Sequence, residues 1–237
     1  MTRRRWIADE VSANSAALTA EHADHLVRVL RARVGQEFDI VAGSVVRRGQ
    51  IRAIVAGRVD FDLFEEIPAA APLNLSLLLA IFKFDRMEWA IEKSTELGVS
   101  RIVPVIAGRT DTHLAAASQK RSERWKRIAV QAAEQSRRLA PPEIAGPIKL
   151  SEALRLLGSL RIVLSESERQ LPLRDALAAH ESGGEILLAV GPEGGWTDSE
   201  CELFRSEGWI ATTLGPTILR AETAAIAAIA IASAECI

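Results

Sequence analysis

The spacing of apolar residues along the chain changes near residue 70. Before it, apolar positions fall at or close to every second residue in Phe38-Asp-Ile-Val-Ala, in Val45-Val-Arg-Arg-Gly-Gln-Ile-Arg-Ala-Ile-Val and in Arg58-Val-Asp-Phe-Asp-Leu-Phe, punctuated by Gly43, Gly49 and Gly57. That period predicts half-buried strands joined by turns. One short helix, Ala23 to Leu30, precedes them. The stretch Ile67-Pro-Ala-Ala-Ala-Pro-Leu carries two prolines and little else that specifies structure, so it reads as a linker between residues 1–70 and residues 71–237.

Beyond the linker, short apolar runs alternate with helical periods. Strands are predicted at Leu73 to Ile81, Arg101 to Ile106, Arg161 to Leu164, Glu185 to Val190 and Trp209 to Leu214. Helices are predicted at Arg86 to Leu97, Gln119 to Leu139, Leu173 to His180, Asp198 to Glu207 and from Ala221 to the end. Such alternation implies right-handed crossovers and a mainly parallel sheet with helices on both faces, an α/β domain. The last helix is apolar on all sides, bracketed by Glu222 and Glu235 and a little short for a bilayer, so burial in protein is expected.

Ile186-Leu-Leu-Ala-Val-Gly-Pro-Glu-Gly-Gly-Trp-Thr-Asp-Ser-Glu200 is the stretch that points to chemistry. A strand buried on both faces runs into a glycine loop with no Cβ to hold a ligand off the backbone, and Thr197-Asp-Ser-Glu200 fits a helix capping box. The letters exclude a phosphate-binding P-loop, which needs Gly-Lys-Ser/Thr where Gly195-Trp-Thr stands, and the spacing is not that of the dinucleotide fingerprint. A second Gly-Pro turn follows at Leu214-Gly-Pro-Thr-Ile-Leu-Arg-Ala-Glu-Thr-Ala-Ala225. Two such loops from neighbouring parallel strands would meet at their carboxyl ends, where open α/β sheets bind ligands.

Gly191-Pro-Glu-Gly-Gly195 together with Leu214-Gly-Pro-x-x-Leu-Arg-x-Glu-Thr-Ala224 resembles the signature of the small-subunit ribosomal RNA methyltransferases that make 3-methyluridine, in the SPOUT class. Asp85-Arg-Met-Glu-Trp-Ala-Ile-Glu-Lys-Ser-Thr-Glu-Leu-Gly-Val99 and His25-Leu-Val-Arg-Val-Leu-Arg31 fit the same family, so the resemblance spans most of the chain in order. It implies a C-terminal trefoil knot, a PUA-like RNA-binding module over residues 1–70, a homodimer, S-adenosylmethionine as methyl donor and a uridine N3 of 16S ribosomal RNA as acceptor. Donor contacts are expected from Leu164, Val190, Gly191, Pro192, Glu193, Gly194, Gly195, Leu214, Gly215, Pro216, Leu219 and Arg220. Arg220 is the first candidate to stabilise charge on the uridine carbonyls, and Glu222 a weaker one for the base. Relatives often have Thr where Ala221 stands, so one hydroxyl contact is missing here. Two alternatives stay open: a related methyltransferase acting on transfer RNA or a ribose 2′-hydroxyl, and an RNA-binding relative without catalysis.

Charge adds the RNA side. The net charge of −2 argues against a uniformly basic nucleic-acid binder, yet residues 1–58 hold ten arginines against six acidic residues, and residues 120–138 hold seven basic residues against two acidic. Such patches suffice to steer toward phosphate. Together with these patches, the resemblance implies Arg3, Arg4, Arg28, Arg31, Lys83, Arg86 and Arg138 as the candidate RNA contacts, with His25, Arg28 and Arg31 placed on one helical face. Glu134-Gln-Ser-Arg-Arg138 resembles a family motif in which glycine stands at Arg137, so that turn is expected to differ. The two cysteines, Cys201 and Cys236, give neither a disulfide framework nor a metal spacing. No metal and no membrane span are expected, and a cytoplasmic location is the simplest.

Overall fold

A computed structural model describes residues 5–68, 73–136, 138–178 and 184–236. The chain divides into two compact units, Met1–Ala71 with Ala133–Pro141 and Pro72–Ala132 with Pro142–Ile237. Sequence reasoning places a single boundary at the linker. The return of 133–141 to the first unit is a long-range event that no local pattern signals.

The first unit is a six-stranded sheet in the order β1-β4-β5-β6-β3-β2, built from β1 (Arg5–Ile7), β2 (Glu10–Val11), β3 (Ser15–Thr19), β4 (Glu37–Ala42), β5 (Val45–Val55) and β6 (Arg58–Ile67). All neighbours are antiparallel except β1 and β4. The three long strands match the alternating segments; β1 to β3 are too short for their period to show. The inward residues, among them Trp6, Leu18, Leu26, Ile40, Ile51 and Phe61, form one core. Gly49 is required there, because a Cβ at this position would lie 2.4 Å from Ile40 Cγ1.

The predicted helix Ala23 to Leu30 is instead a short α-helix, α1 (Ala20–Asp24), continued by a π-helix over His25–Val29. Leu30 N–H donates to the His25 carbonyl at 3.2 Å, so the turn holds an extra residue. Arg31 lies beyond it with φ of 52°. His25, Arg28 and Arg31 therefore do not share one regular helical face, which corrects the sequence-based placement. Arg28 pairs instead with Asp24 at 3.4 Å.

The second unit carries a seven-stranded sheet, all of whose pairings are parallel. Its strands are β7 (Leu73–Ala80), β8 (Val99–Ile106), β9 (Glu143–Ile144), β10 (Ile148–Lys149), β11 (Leu160–Leu164), β12 (Ile186–Val190) and β13 (Ile210–Thr212). The order is β10-β8-β7-β12-β11-β13, with β9 also on β8. The helices are α2 (Phe84–Glu96), α3 (Thr112–Gln135), α4 (Leu150–Ala153), α5 (Leu173–Ala178), α6 (Asp198–Ser206) and α7 (Ala221–Cys236).

Alternation along the central strands explains why β7 and β12 read as unbroken apolar runs. Leu75, Leu77, Leu79, Ile186, Leu188 and Val190 join the core under α2, α3, α5 and α7, whereas Leu78, Ala80, Leu187 and Ala189 face the core that holds α4, Trp196, Phe204 and Trp209. Both faces are covered, so both must be apolar. α3 begins earlier than the predicted Gln119, because Asp111 Oδ1 accepts from the N–H groups of His113 (2.8 Å) and Leu114 (3.3 Å) and caps it. It ends at Gln135 rather than Leu139. The expectation attached to Arg137 lies outside the described residues, as do the end of the predicted helix at His180 and both Arg3 and Arg4. α7 is not wholly buried in the single chain: Ala225, Ala228, Ile229 and Ala232 are inside, while Ala224, Ile226, Ala227 and Ile231 are half-buried. No helix among the described residues is long and apolar enough to cross a membrane.

Candidate active site

Parallel strands deliver their loops to one end of the sheet, and three of those loops enclose a cavity of about 890 Å3. They follow β11, β12 and β13. The two glycine loops do not come from neighbouring strands as the sequence suggests: β11 sits between β12 and β13. The site thereby gains a third wall, residues 165–169.

The loop after β12 is the most tightly specified. Gly195 N–H donates to the Pro192 carbonyl at 2.8 Å, closing a turn, and Gly195 has φ of 70°, a left-handed conformation suited to glycine. Trp196 folds back so that its Nε1–H donates to the Leu164 carbonyl at 3.1 Å. A Cβ on Gly191 would sit 3.3 Å from that indole. Thr197 and Glu200 form the predicted capping box. Glu200, buried, also accepts from Gly108 N–H at 2.6 Å, which laces the loop after β8 to the start of α6.

The other walls are held by local bonds. In the β11 loop, Glu168 Oε1 accepts three backbone N–H groups, from Arg169, Gln170 and Leu171 at 2.7–3.1 Å, and the Gln170 and Leu171 bonds foremost hold its carboxyl below the usual range. In the β13 loop the Thr213 hydroxyl bonds both the N–H and the carbonyl of Gly215 at 3.1–3.2 Å, and Gly215 takes φ of 122°.

Leu164, Val190, Gly191, Pro192, Glu193, Gly194, Gly195, Leu214, Gly215, Pro216 and Leu219 all line this cavity. Arg220 does not, although Leu219 and Ala221 on either side of it do; it is exposed at the rim. Glu222 is turned the other way. It is buried, 3.8 Å from Arg86 on α2, and its Oε2 has no hydrogen-bond partner. Two residues along a helix face nearly opposite sides, so one helix start cannot aim both groups at the same point. Lys83 is exposed just before α2, its N–H 3.4 Å from Glu193 Oε1. Arg28, Arg31 and Arg138 belong to the first unit, where burial holds the Arg138 guanidinium below its usual pKa.

Sequence reasoning missed Arg109, Glu166, Trp196 and Thr212 as cavity-lining residues. Trp196 was within reach, since it directly follows the glycine loop; the places of Arg109, Glu166 and Thr212 depend on strand order and long-range packing, which no local pattern signals. Among the described residues no cluster of His, Cys, Asp and Glu is arranged for a metal.

Strand-end loops around a cavity of this size are where open α/β sheets characteristically hold small molecules. The class is an RNA methyltransferase: the family model described as an RNA methyltransferase domain matches residues 69–233. The ribosomal RNA small subunit methyltransferase E of Synechocystis is 33% identical over 94% of this chain and 74% of its own length. The protein of that name from Rickettsia conorii is also 33% identical, over 96% of this chain and 93% of its length. A crystal structure of the Neisseria gonorrhoeae ribosomal RNA small subunit methyltransferase E bound to S-adenosyl methionine superimposes with a TM-score of 0.84 at 32% identity, covering 97% of this chain and 96% of that one. The chain belongs to the ribosomal RNA small subunit methyltransferase E family.

Proposed function

We propose that this protein methylates N3 of a uridine in small-subunit ribosomal RNA with S-adenosylmethionine as donor, in a SPOUT-class fold. The observation that carries the reading is the cavity itself, enclosed by the three loops after β11, β12 and β13, in a chain whose relative of known structure holds S-adenosyl methionine.

The residues present fit that donor. Leu164, Val190, Leu214, Leu219, Ala224 and Ile231 supply apolar wall for an adenine ring, and Glu166, Glu193 and Asp198 supply carboxylates suited to ribose hydroxyls and to a cationic ligand. Thr212 lines the same cavity, and its buried Oγ1 has no hydrogen-bond partner in the protein. When bound, the donor supplies an electrophilic methyl group on a sulfonium.

The chain's own residues have three tasks. The backbone of Gly191 to Gly195 and of Leu214 to Leu219 holds the donor in a fixed pose, and such positioning alone is worth several kcal/mol of barrier, on the order of 7 or more in well-oriented cases. Arg220, exposed at the rim beside Leu219 and Ala221, meets the acceptor rather than the donor and stabilises the negative charge that loss of the N3 proton places on the uridine carbonyls. Glu222, buried against Arg86, acts by orienting that guanidinium toward RNA and is not placed to take the proton itself. The target uridine must be unpaired or flipped to enter.

Several further parts of the reading have support of their own. β13 is the edge strand, yet α7 returns to pack on α2 and over β7 and β12, as a C-terminal segment passing through a knot would. The half-buried Ile226 and Ala227 and the exposed Ala230, which share one face of α7, suit a homodimer partner. The mostly antiparallel first unit, with its arginines, suits a PUA-like domain that reads RNA shape and phosphate, and residues 1–70 with 133–141 are assigned that role.

Titration calorimetry of S-adenosylmethionine into the purified protein, with its mass taken by light scattering, tests this reading. One donor bound per chain in a dimer is expected. A folded protein that does not bind the donor would overturn it.

A further inference from the structure

Arg109 sits in the short loop after β8, outside the three loops that form the cavity walls, yet its side chain reaches the cavity. Its Nη1 donates to the Gly194 carbonyl and, at 3.1 Å, to the Trp196 carbonyl. These carbonyls belong to the two peptide planes that define the end of the glycine loop. The opposite side of each plane is also taken: Gly195 N–H by the Pro192 carbonyl at 2.8 Å, and Thr197 N–H by Glu200 Oε2 at 2.8 Å. Both planes are thus fixed at both edges, and the guanidinium is the one charged donor in that arrangement.

The loop that carries Arg109 is itself fixed. Gly108 N–H donates to Glu200 Oε1 at 2.6 Å, and Thr110 Oγ1 accepts from Ala107 N–H at 3.1 Å and donates to the Ile81 carbonyl at 3.2 Å. Gly194 is fitted to this side chain, since a Cβ there would lie 3.2 Å from Arg109 Cδ. We infer that Arg109 is a positioning residue for methyl-donor binding: it sets the orientation of the Gly194 and Trp196 peptides so that the glycine loop is preorganised before the donor arrives. The inference rests on the donor site proposed above. It differs from a direct ionic contact, in which the guanidinium would grip the carboxylate of the donor's methionyl group.

The test compares Arg109→Ala, Arg109→Lys and the full-length parent chain by calorimetry with S-adenosylmethionine and with 5′-methylthioadenosine, which keeps the nucleoside and lacks the carboxylate. Charge-assisted hydrogen bonds of this kind correspond to about a tenfold to hundredfold change in affinity. Arg109→Ala is expected to weaken both ligands by the same factor in that range. Arg109→Lys, which keeps a charged donor, is expected to recover part of it, and added guanidinium ion at non-denaturing concentration to restore part of the affinity of Arg109→Ala. Loss confined to S-adenosylmethionine would assign a direct carboxylate contact and overturn the positioning role, as would affinities within twofold of the parent. If Arg109→Ala does not fold, the equal or unequal effect of Arg109→Lys on the two ligands decides. A parent chain that binds neither ligand would overturn the donor site, and the inference with it.

Discussion

Gly191→Ala adds one methyl group at the floor of the cavity, and its cost follows from what surrounds it. The new Cβ would lie 3.3 Å from both Cε2 and Nε1 of Trp196, so one of the two must move. The indole is held in place: its Nε1–H donates to the Leu164 carbonyl at 3.1 Å, it packs edge-to-face on Phe204 with centroids 4.8 Å apart, and Phe204 packs likewise on Trp209 at 5.3 Å. Overpacking a site so constrained costs about 1–3 kcal/mol, and if the indole swings away, the lost hydrogen bond adds about 1 kcal/mol. For a chain of this size that is a fall of about 2–12 °C in the apparent unfolding midpoint. Donor affinity should fall too, because either response shifts the loop. Thermal unfolding without ligand and calorimetry with S-adenosylmethionine read the two effects. In a Trp196→Phe background the smaller ring leaves room, so the same methyl should cost at least about 0.5 kcal/mol less, a coupling measurable by a double-mutant cycle. An unchanged midpoint and affinity in Gly191→Ala would refute the claim that Trp196 is locked against this loop.

Other substitutions probe separate parts of the fold. Gly49→Ala forces a Cβ to within 2.4 Å of Ile40 Cγ1 in the first unit and should destabilise it by about 1–3 kcal/mol in denaturant unfolding while leaving donor affinity intact. Glu200→Ala strands the Gly108 and Thr197 N–H groups that its carboxylate accepts; a loss of about 2 kcal/mol or more is expected, with Glu200→Gln in between. Glu134 carries a carboxyl raised above the usual range by burial first, with Asp9 adding to the shift and His22 opposing it. The folded state then holds that proton more tightly than the unfolded chain, so stability should fall as pH rises through the raised value. Glu134→Gln should remove that fall, and a parallel pH profile in the two proteins would contradict it.

Much of the second unit could be read from letters because its physics is local. Runs such as Ile186 to Val190 are apolar throughout since both sheet faces are covered, and Thr197 and Glu200 announce a helix start that the structure contains. The cavity was legible as far as the glycine loops reach. The third wall was not: Glu166 and Glu168 stand in the loop of β11, and nothing in the sequence reveals that β11 lies between β12 and β13. Arg109 was hidden for the same reason, since its partners are 85 and 87 residues away. Pairing order is set by long-range packing, which leaves no periodic trace. The π-helix at His25–Val29 escaped because an inserted residue looks like ordinary helical spacing with one position out of phase. Glu222 was legible as a helix-start acid but not as the buried neighbour of Arg86, a fact that depends on how α7 lies against α2.

The central claim is the reaction itself. Small-subunit ribosomal RNA incubated with the purified protein and S-adenosylmethionine, then digested and analysed by nucleoside mass spectrometry, should contain newly formed 3-methyluridine that is absent when the donor is omitted. Methylation found on a ribose hydroxyl or on another base, or no methylation by a chain that binds the donor, would contradict it.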